Sequence, residues 1–180
     1  MYEPYQRLGF TSDIYAQKIN ASGSTEWGQG LAISTADESQ TEPRLTTDGS
    51  NGVYFVWEDQ RNSDETGIDI YAQHILDDGS LVWGITGTAL TNKSGRQASP
   101  NICSDGQGGA YVIWSDYSDS PFGDIYATHL SGSNVIASGE GVPIITISSD
   151  RSSPSLNTGG AGDAVLIWSD DRNGNDLNLY

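Results

Sequence analysis

The sequence predicts an all-β chain built from repeated four-stranded antiparallel units. Three observations carry that reading. PNICSDGQGGAYVIWSD at 100–116 recurs upstream as PRLTTDGSNGVYFVWED (43–59) and downstream as PSLNTGGAGDAVLIWSD (154–170). Pro and Trp keep the same interval in all three copies (43 and 57, 100 and 114, 154 and 168), and matched spacing of this kind marks a structural repeat. A second segment, DIYAQKI at 13–19, returns as DIYAQHI at 69–75 and DIYATHL at 124–130, with a weaker start at Asn178-Leu179-Tyr180. Finally, no window shows helical periodicity. β-Branched and aromatic residues sit instead between clusters of Gly, Asn, Asp and Ser, which is the composition of strands and turns.

Each period offers four short strands. The first begins at Pro43, Pro100 or Pro154 and ends near Gly49, Gly106 or Gly160, where a tight hairpin calls for positive φ. The second carries the tryptophan: VYFVW (53–57), AYVIW (110–114) and AVLIW (164–168). The third is the DIYA segment. The fourth is a brief apolar stretch: Leu31-Ala32-Ile33, Thr88-Ala89-Leu90, Pro143-Ile144-Ile145. Ahead of it stand GSTEWG (23–28) and GSLVWG (79–84), while the third copy, GSNVIA (132–137), has lost both the Trp and the final Gly. Trp27 and Trp83 are therefore expected on a strand near a sheet edge, packing between units, with stacking on sugar rings as the alternative.

The Trp strands are apolar at every position. Successive strand residues point to opposite faces, so an all-apolar strand has both faces covered. A β-sandwich leaves one face of each sheet wet and would show alternation. A β-propeller covers each blade with two neighbours, and the continuous runs favour it, with each tryptophan packed against the next sheet. Trp57, Trp114 and Trp168 are core residues on this reading. The start points 13, 69, 124 and 178 give steps of 56, 55 and 54 residues, above the ~40–45 of WD-type blades and near the ~50 of kelch blades.

Residues 1–12, including Tyr5-Gln6-Arg7, read as the tail of a preceding blade. Repeats at 13–68, 69–123 and 124–177 follow, then the start of a fourth. Three periods fall short of the usual ring of about four to eight blades. The expectation is an incomplete ring or open arc, completed by the remainder of a longer propeller chain or by further copies of itself as a homo-oligomer or filament.

The motif order P-x-I/L-x-x-D-G-x-G-G-x-Y-V-x-W-x-D-x-R followed by D-I-Y-A-Q resembles the repeats of secreted bacterial β-propellers. More distantly, Ser169–Asn175 (SDDRNGN) ahead of a D-I-Y strand is similar to TolB-type blades. The resemblance covers roughly residues 13–180. It implies the blade and not an activity, because propellers host binding, scaffolding and catalysis alike. The third copy departs from it, with Gly159 where Asp48 and Asp105 stand and Asp163 where Gly52 and Gly109 stand. An Asp-box order is kept by no copy.

The formal net charge is −16, from 8 basic and 24 acidic residues. That argues against nucleic acid, which needs a basic face to displace counterions, and against anionic membrane surfaces. It suits a solvated extracellular or cell-surface protein, a divalent cation or a cationic partner; the periplasm is the alternative location. Cys103 is the single cysteine, so no internal disulfide forms, and a small buried core residue is its expected role. No run of about eighteen apolar residues predicts a membrane span, and the N-terminus lacks the pattern of a signal peptide.

Acidic loops join each Trp strand to the next DIY strand: EDQRNSDETGID (58–69), SDYSDSPFGD (115–124) and SDDRNGNDLN (169–178). Bunched Asp and Asn oxygens suit Ca²⁺, and Asp170, Asp171, Asn173 and Asp176 form the most suggestive set. The competing reading gives these side chains to turn hydrogen bonds. Asp59, Asp116 and Asp170, like Asp13, Asp69 and Asp124, appear once per blade, whereas a catalytic residue is usually unique. They read as architectural, contacting strand ends or Arg61 and Arg172. His74 and His129 hold equivalent strand positions, read as surface or strand-edge sites ahead of a metal pair. No nucleotide-binding glycine loop, Ser-His-Asp set or distinctive pair of carboxylates stands out. The preferred function is thus a non-enzymatic exported propeller for protein binding or structural assembly. The alternatives are a carbohydrate-binding or glycoside-cleaving propeller with its active groups in a central channel, and a TolB-like docking propeller of the periplasm.

Overall fold

A computed structural model describes residues 11–132, 134–135, 140–146, 148, 151–172 and 178–179. All regular structure in it is β. The first sheet pairs β1 (Ile14–Ala16) with β2 (Leu31–Ser34). The second runs β3 (Gln40–Thr47), β4 (Val53–Asp59), β5 (Asp69–Ile75), β6 (Thr88–Ala89), each antiparallel to the last. The third repeats that order with β7 (Gln97–Ser104), β8 (Gly109–Asp116) and β9 (Asp124–Ser131). Both β10 (Asn134–Val135) and β11 (Val142–Ile145) pair with β9. The fourth holds β12 (Arg151–Gly160), β13 (Asp163–Asp170) and β14 (Asn178–Leu179). The second, third and fourth sheets thus begin at a Pro strand and continue through the Trp and DIY strands, as the motif order requires, while the first holds a DIY strand and the short apolar strand paired with it. The sheets are propeller blades. β3 packs on β7 and β7 on β12, so the Pro strands form the inner edge where blades converge; the described strands make an arc and not a closed ring. Among the described residues no helix is long and apolar enough to cross a membrane. The proposed tail at 1–12 lies outside the described residues apart from Thr11 and Ser12.

The apolar Trp strand is covered on both faces, and the two faces belong to different cores. Tyr54 and Val56 join Ile102, Ala110, Val112 and Trp114 of the next blade in one buried cluster. Phe55 and Trp57 join Ile14 and Ile33 of the preceding blade in another. Cys103 and Ile113 meet Leu156 in a third, where Cys103 is buried as expected. One detail corrects the sequence reading: the tryptophan faces the preceding sheet, and the tyrosine beside it faces the next. Trp57 and Trp114 are fully buried. Gly87 and Gly141 lie directly over them, since a Cβ on either would come within 2.5 Å of the indole it covers. Trp27 and Trp83 lie on bends and not on strands; Trp27 packs into the first interblade core and Trp83 into the second.

The hairpin turns have the predicted positive φ at Gly49 (79°), Gly106 (72°) and Gly160 (85°). Asp48 caps its turn by accepting from the amides of Ser50 (2.7 Å) and Gly52 (2.8 Å), and Asp105 repeats this with Gln107 and Gly109. The third copy's paired departure follows from that geometry. A Cβ at Gly52 would sit 2.2 Å from the Asp48 carboxylate, and one at Gly109 2.5 Å from that of Asp105. Where the Asp becomes Gly159, that carboxylate is gone and position 163 carries a side chain, whereas at Gly52 and Gly109 the Ile75 and Leu130 carbonyls also crowd the site.

Candidate functional site

Of the once-per-blade acids, those following the Trp strands, Asp59, Asp116 and Asp170, are engaged in contacts within the blade. Asp59 is fully buried, accepts from Trp57 Nε1 (2.8 Å), and takes Nε (2.8 Å) and Nη2 (2.6 Å) of Arg61, whose guanidinium lies 3.9 Å over the Tyr71 ring. Asp170 repeats the arrangement with Trp168 Nε1 and Arg172. The Arg172 side chain holds the Asp170 carboxyl well below the usual carboxylate range. The middle blade has Ser118 where the others have Arg, and Lys93 takes over from the loop ahead of β7. Its ammonium lies 4.0 Å from Asp116, 3.0 Å from Asp119 and 4.9 Å over the Tyr126 ring. Of the residues considered for calcium, Asp170 has both oxygens engaged in this way and Asp171 follows it, half-buried; Asn173 and Asp176 lie outside the described residues. Among the described residues no group of three or more His, Cys, Asp or Glu is arranged to hold a metal.

The histidines correct a sequence expectation. His74 is buried, not at a surface, because its strand is covered by the next blade. Its Nε2 lies 3.0 Å from Asp48 Oδ2, its Nδ1 lies 3.1 Å from the Gly132 carbonyl, and its ring stacks on Tyr54 at 4.2 Å. His129, less buried, lies 2.8 Å from Asp105 and 4.6 Å from the Tyr111 ring. The tyrosine hydroxyls then cross to the following blade: Tyr54 donates to Gly108 O and Tyr111 to Gly162 O, both at 2.9 Å. Each His, Asp and Tyr set fastens one blade's turn to the next.

A different arrangement occupies the inner edge. The Pro strands share an irregularity, with register shifts between Thr41 and Arg44, Ala98 and Asn101, and Ser152 and Ser155. A β-bulge adds one residue to a strand, bends it and re-aims its side chains. At two of these bulges the residue before Pro has positive φ, 52° at Glu42 and 57° at Ser99. A residue preceding Pro is pushed toward extended backbone, so this conformation is strained, at roughly 1–3 kcal/mol each. The bulges face a cavity of about 750 Å³ lined by Thr41, Glu42, Arg44, Glu58, Arg96 and Ser99, with Pro100, Asn101, Pro154 and Ser155 closing it. Glu58 pairs across the strands with Thr41, so the two glutamates spring from neighbouring positions. The Glu58 carboxylate is buried and accepts a 2.8 Å bond from the Ser99 amide of the next blade. Glu42 is exposed and pairs with Arg44 Nη2 at 3.1 Å, while Arg44 Nη1 donates to the Pro43 carbonyl.

These residues break the repeat. Where this blade has Glu42, Arg44 and Glu58, the next has Ser99, Asn101 and Ser115, and the one after has Ser153, Ser155 and Ser169. The signal was present in the aligned copies: an acid once, serine twice. Residues that recur outweigh it in the sequence, and the converging Pro strands that give the three positions a common cavity are not visible in one dimension.

No family model matches the chain, and no curated protein matches it. Among solved structures, that of an α-L-arabinanase from Penicillium chrysogenum, complexed with arabinobiose, is similar over 93% of this chain, with a TM-score of 0.58 and 16% identity. The chain spans about half the length of that structure, matching 51% of it. At this identity the likeness establishes the fold, a β-propeller. It also corrects the preference for a non-enzymatic assembly unit. The propeller that this arc superposes on is an enzyme holding a saccharide, and the inner cavity here carries acids that blade architecture does not require. The assembly reading is therefore set aside.

Proposed function

We propose that the cavity at the converging Pro strands binds carbohydrate, and that Glu42 and Glu58 are the carboxylates through which the protein acts on a glycosidic bond. The observation that carries this is the concentration of repeat-breaking residues around one cavity, on a backbone strained to hold them. Strain of this kind clusters where side chains must be aimed at a ligand. Glycoside cleavage uses two carboxylic groups in unlike surroundings, one serving as acid and the other as nucleophile or base. Here one glutamate is buried against a backbone amide and the other lies exposed beside an arginine. Serine, threonine and asparagine around them supply the hydroxyl and amide partners that sugars need. The likeness to an arabinanase structure supports the same reading. An extracellular or cell-surface location accords with it, since polymeric sugars are met there.

A glycan array and a panel of chromogenic glycosides test the proposal. Binding or turnover that E58Q abolishes and E42Q weakens, with both variants melting near wild type, is the expected result. No glycan bound and no glycoside cleaved across both panels would refute it.

A further inference from the structure

The cations of this chain are distributed unevenly. Lys18 pairs with Asp77 at 2.6 Å and Glu26 at 3.2 Å. Arg61 is held by Asp59, Lys93 by Asp119 and Asp116, and Arg172 by Asp170. The remaining cations whose side chains are described, Arg44 and Arg96, both line the inner cavity. Arg96 is exposed, lies 5.6 Å over the Tyr117 ring, and pairs with no carboxylate among the described residues. Arg44 has only the exposed Glu42, a kind of pair that water screens and a ligand can displace. In a chain of net charge −16, the two described guanidinium groups not held by a buried carboxylate line the proposed sugar site.

A neutral sugar needs hydrogen bonds, and the matched positions of the neighbouring blades supply them with serine and asparagine. A guanidinium offers something else, a planar fork of donors that fits a carboxylate in a bidentate pair. It also offsets the repulsion that Glu42 and Glu58 would exert on an anionic ligand. We infer that the site takes a uronic-acid saccharide, with Arg96 and Arg44 receiving its carboxylate. This rests on the carbohydrate reading above.

The test compares an α-1,4-linked galacturonate trimer with the galactose trimer of the same linkage by isothermal titration. The two differ in having a carboxylate or a hydroxymethyl at each C6. The uronate should bind about tenfold more tightly or better, the scale of one charge-assisted hydrogen bond. R96Q should close most of that gap, R44Q should narrow it, and R96K, which keeps the charge but loses the fork, should restore it in part. K18Q removes the same charge outside the cavity and should leave the gap intact. Melting curves establish that each variant is folded. Equal affinity for the two trimers would overturn this inference and leave the carbohydrate reading standing. Binding of neither trimer, nor of any glycan on the array, would remove both. Poly-glutamate bound as tightly as the uronate would also overturn it, by assigning the arginines to an acidic peptide.

Discussion

Replacing Tyr54 by Phe removes one oxygen atom from the joint between two blades and little else. The ring stays in place, fully buried and stacked on His74. The hydroxyl makes two bonds, donating to Gly108 O and accepting from Gly132 N, both at 2.9 Å. Each such bond contributes about 1 kcal/mol net, and with Gly108 half-buried and Gly132 exposed, water can reach the partners left behind. Y54F should therefore lose about 2 kcal/mol, one for each bond. Tyr111 is the internal control. It makes the same bond to the next blade's turn, to Gly162 O at 2.9 Å, but is half-buried, so water can replace the lost hydroxyl. Y111F should lose about 1 kcal/mol. Urea unfolding followed by both tryptophan fluorescence and far-UV circular dichroism reads the difference. Coincident curves are needed first, because repeat arrays can unfold in parts. With a urea slope of about 2 kcal/mol/M, the Y54F midpoint should fall by roughly 1 M. A Y54F midpoint unchanged within error, or a larger loss in Y111F, would refute the claim that this hydroxyl fastens the blades.

Acid should loosen the same joint. Burial alone would raise the Asp48 carboxyl, but its bonds to His74 and to the Ser50 and Gly52 amides outweigh that and hold it below its ordinary value. A carboxyl lowered on folding contributes stability that is complete above its unfolded-state titration and lost as pH falls through the folded one. Urea midpoints taken between about pH 6 and pH 2 should therefore drop less steeply in D48N than in wild type; equal slopes would count against it. G87A should be more damaging than G49A. Both glycines have positive φ (74° and 79°), but a Cβ at Gly87 would lie 2.5 Å from both the Trp57 ring and the Ala72 carbonyl, while Gly49 has open space. About 3 kcal/mol against about 1 kcal/mol is expected from thermal melts, the excess being overpacking. R61Q leaves the buried Asp59 carboxylate without its countercharge and should cost about 3 kcal/mol, a fall of roughly 10 °C in Tm; a shift of about 1 °C or less would make the pair dispensable.

The blade was legible because its physics is local and repeated. All-apolar runs such as VYFVW require two covered faces, and the two interblade cores supply them. Positive φ at Gly49, Gly106 and Gly160 followed from a turn that needed it. What the sequence concealed depends on which blade meets which. Nothing within DIYAQHI says that His74 is buried, because the turn carrying Asp48 and the next blade's Gly132 cover it. The direction of the tryptophan was hidden similarly, since a strand apolar on both faces does not record which neighbour lies on which side. Lys93 could not be matched to Asp116 by aligning copies, because it replaces an arginine from a different segment.

Departures from the repeat fall into two kinds, and the difference locates the site. Some are compensated. Gly159 and Asp163 exchange residue types with Asp48 and Gly52, and Lys93 substitutes for the arginine that the middle blade lacks. Such changes are matched by a second change nearby and need no functional explanation. Glu42 and Arg44 pair only with each other and Glu58 meets a backbone amide, so none of them keeps a contact that the other blades share, and the neighbouring blades show what the fold accepts there: serine and asparagine at the matched positions. Reverting Glu58 to the residue of the next blade, E58S, tests that logic. The loss is confined to one bond to an exposed residue's amide, Ser99 N, where water can take over, so stability should change by about 1 kcal/mol or less. If Glu58 serves the blade, E58S should melt well below wild type and act on sugars normally once folded. If it serves the cavity, the melt should hold and the response to sugars should disappear.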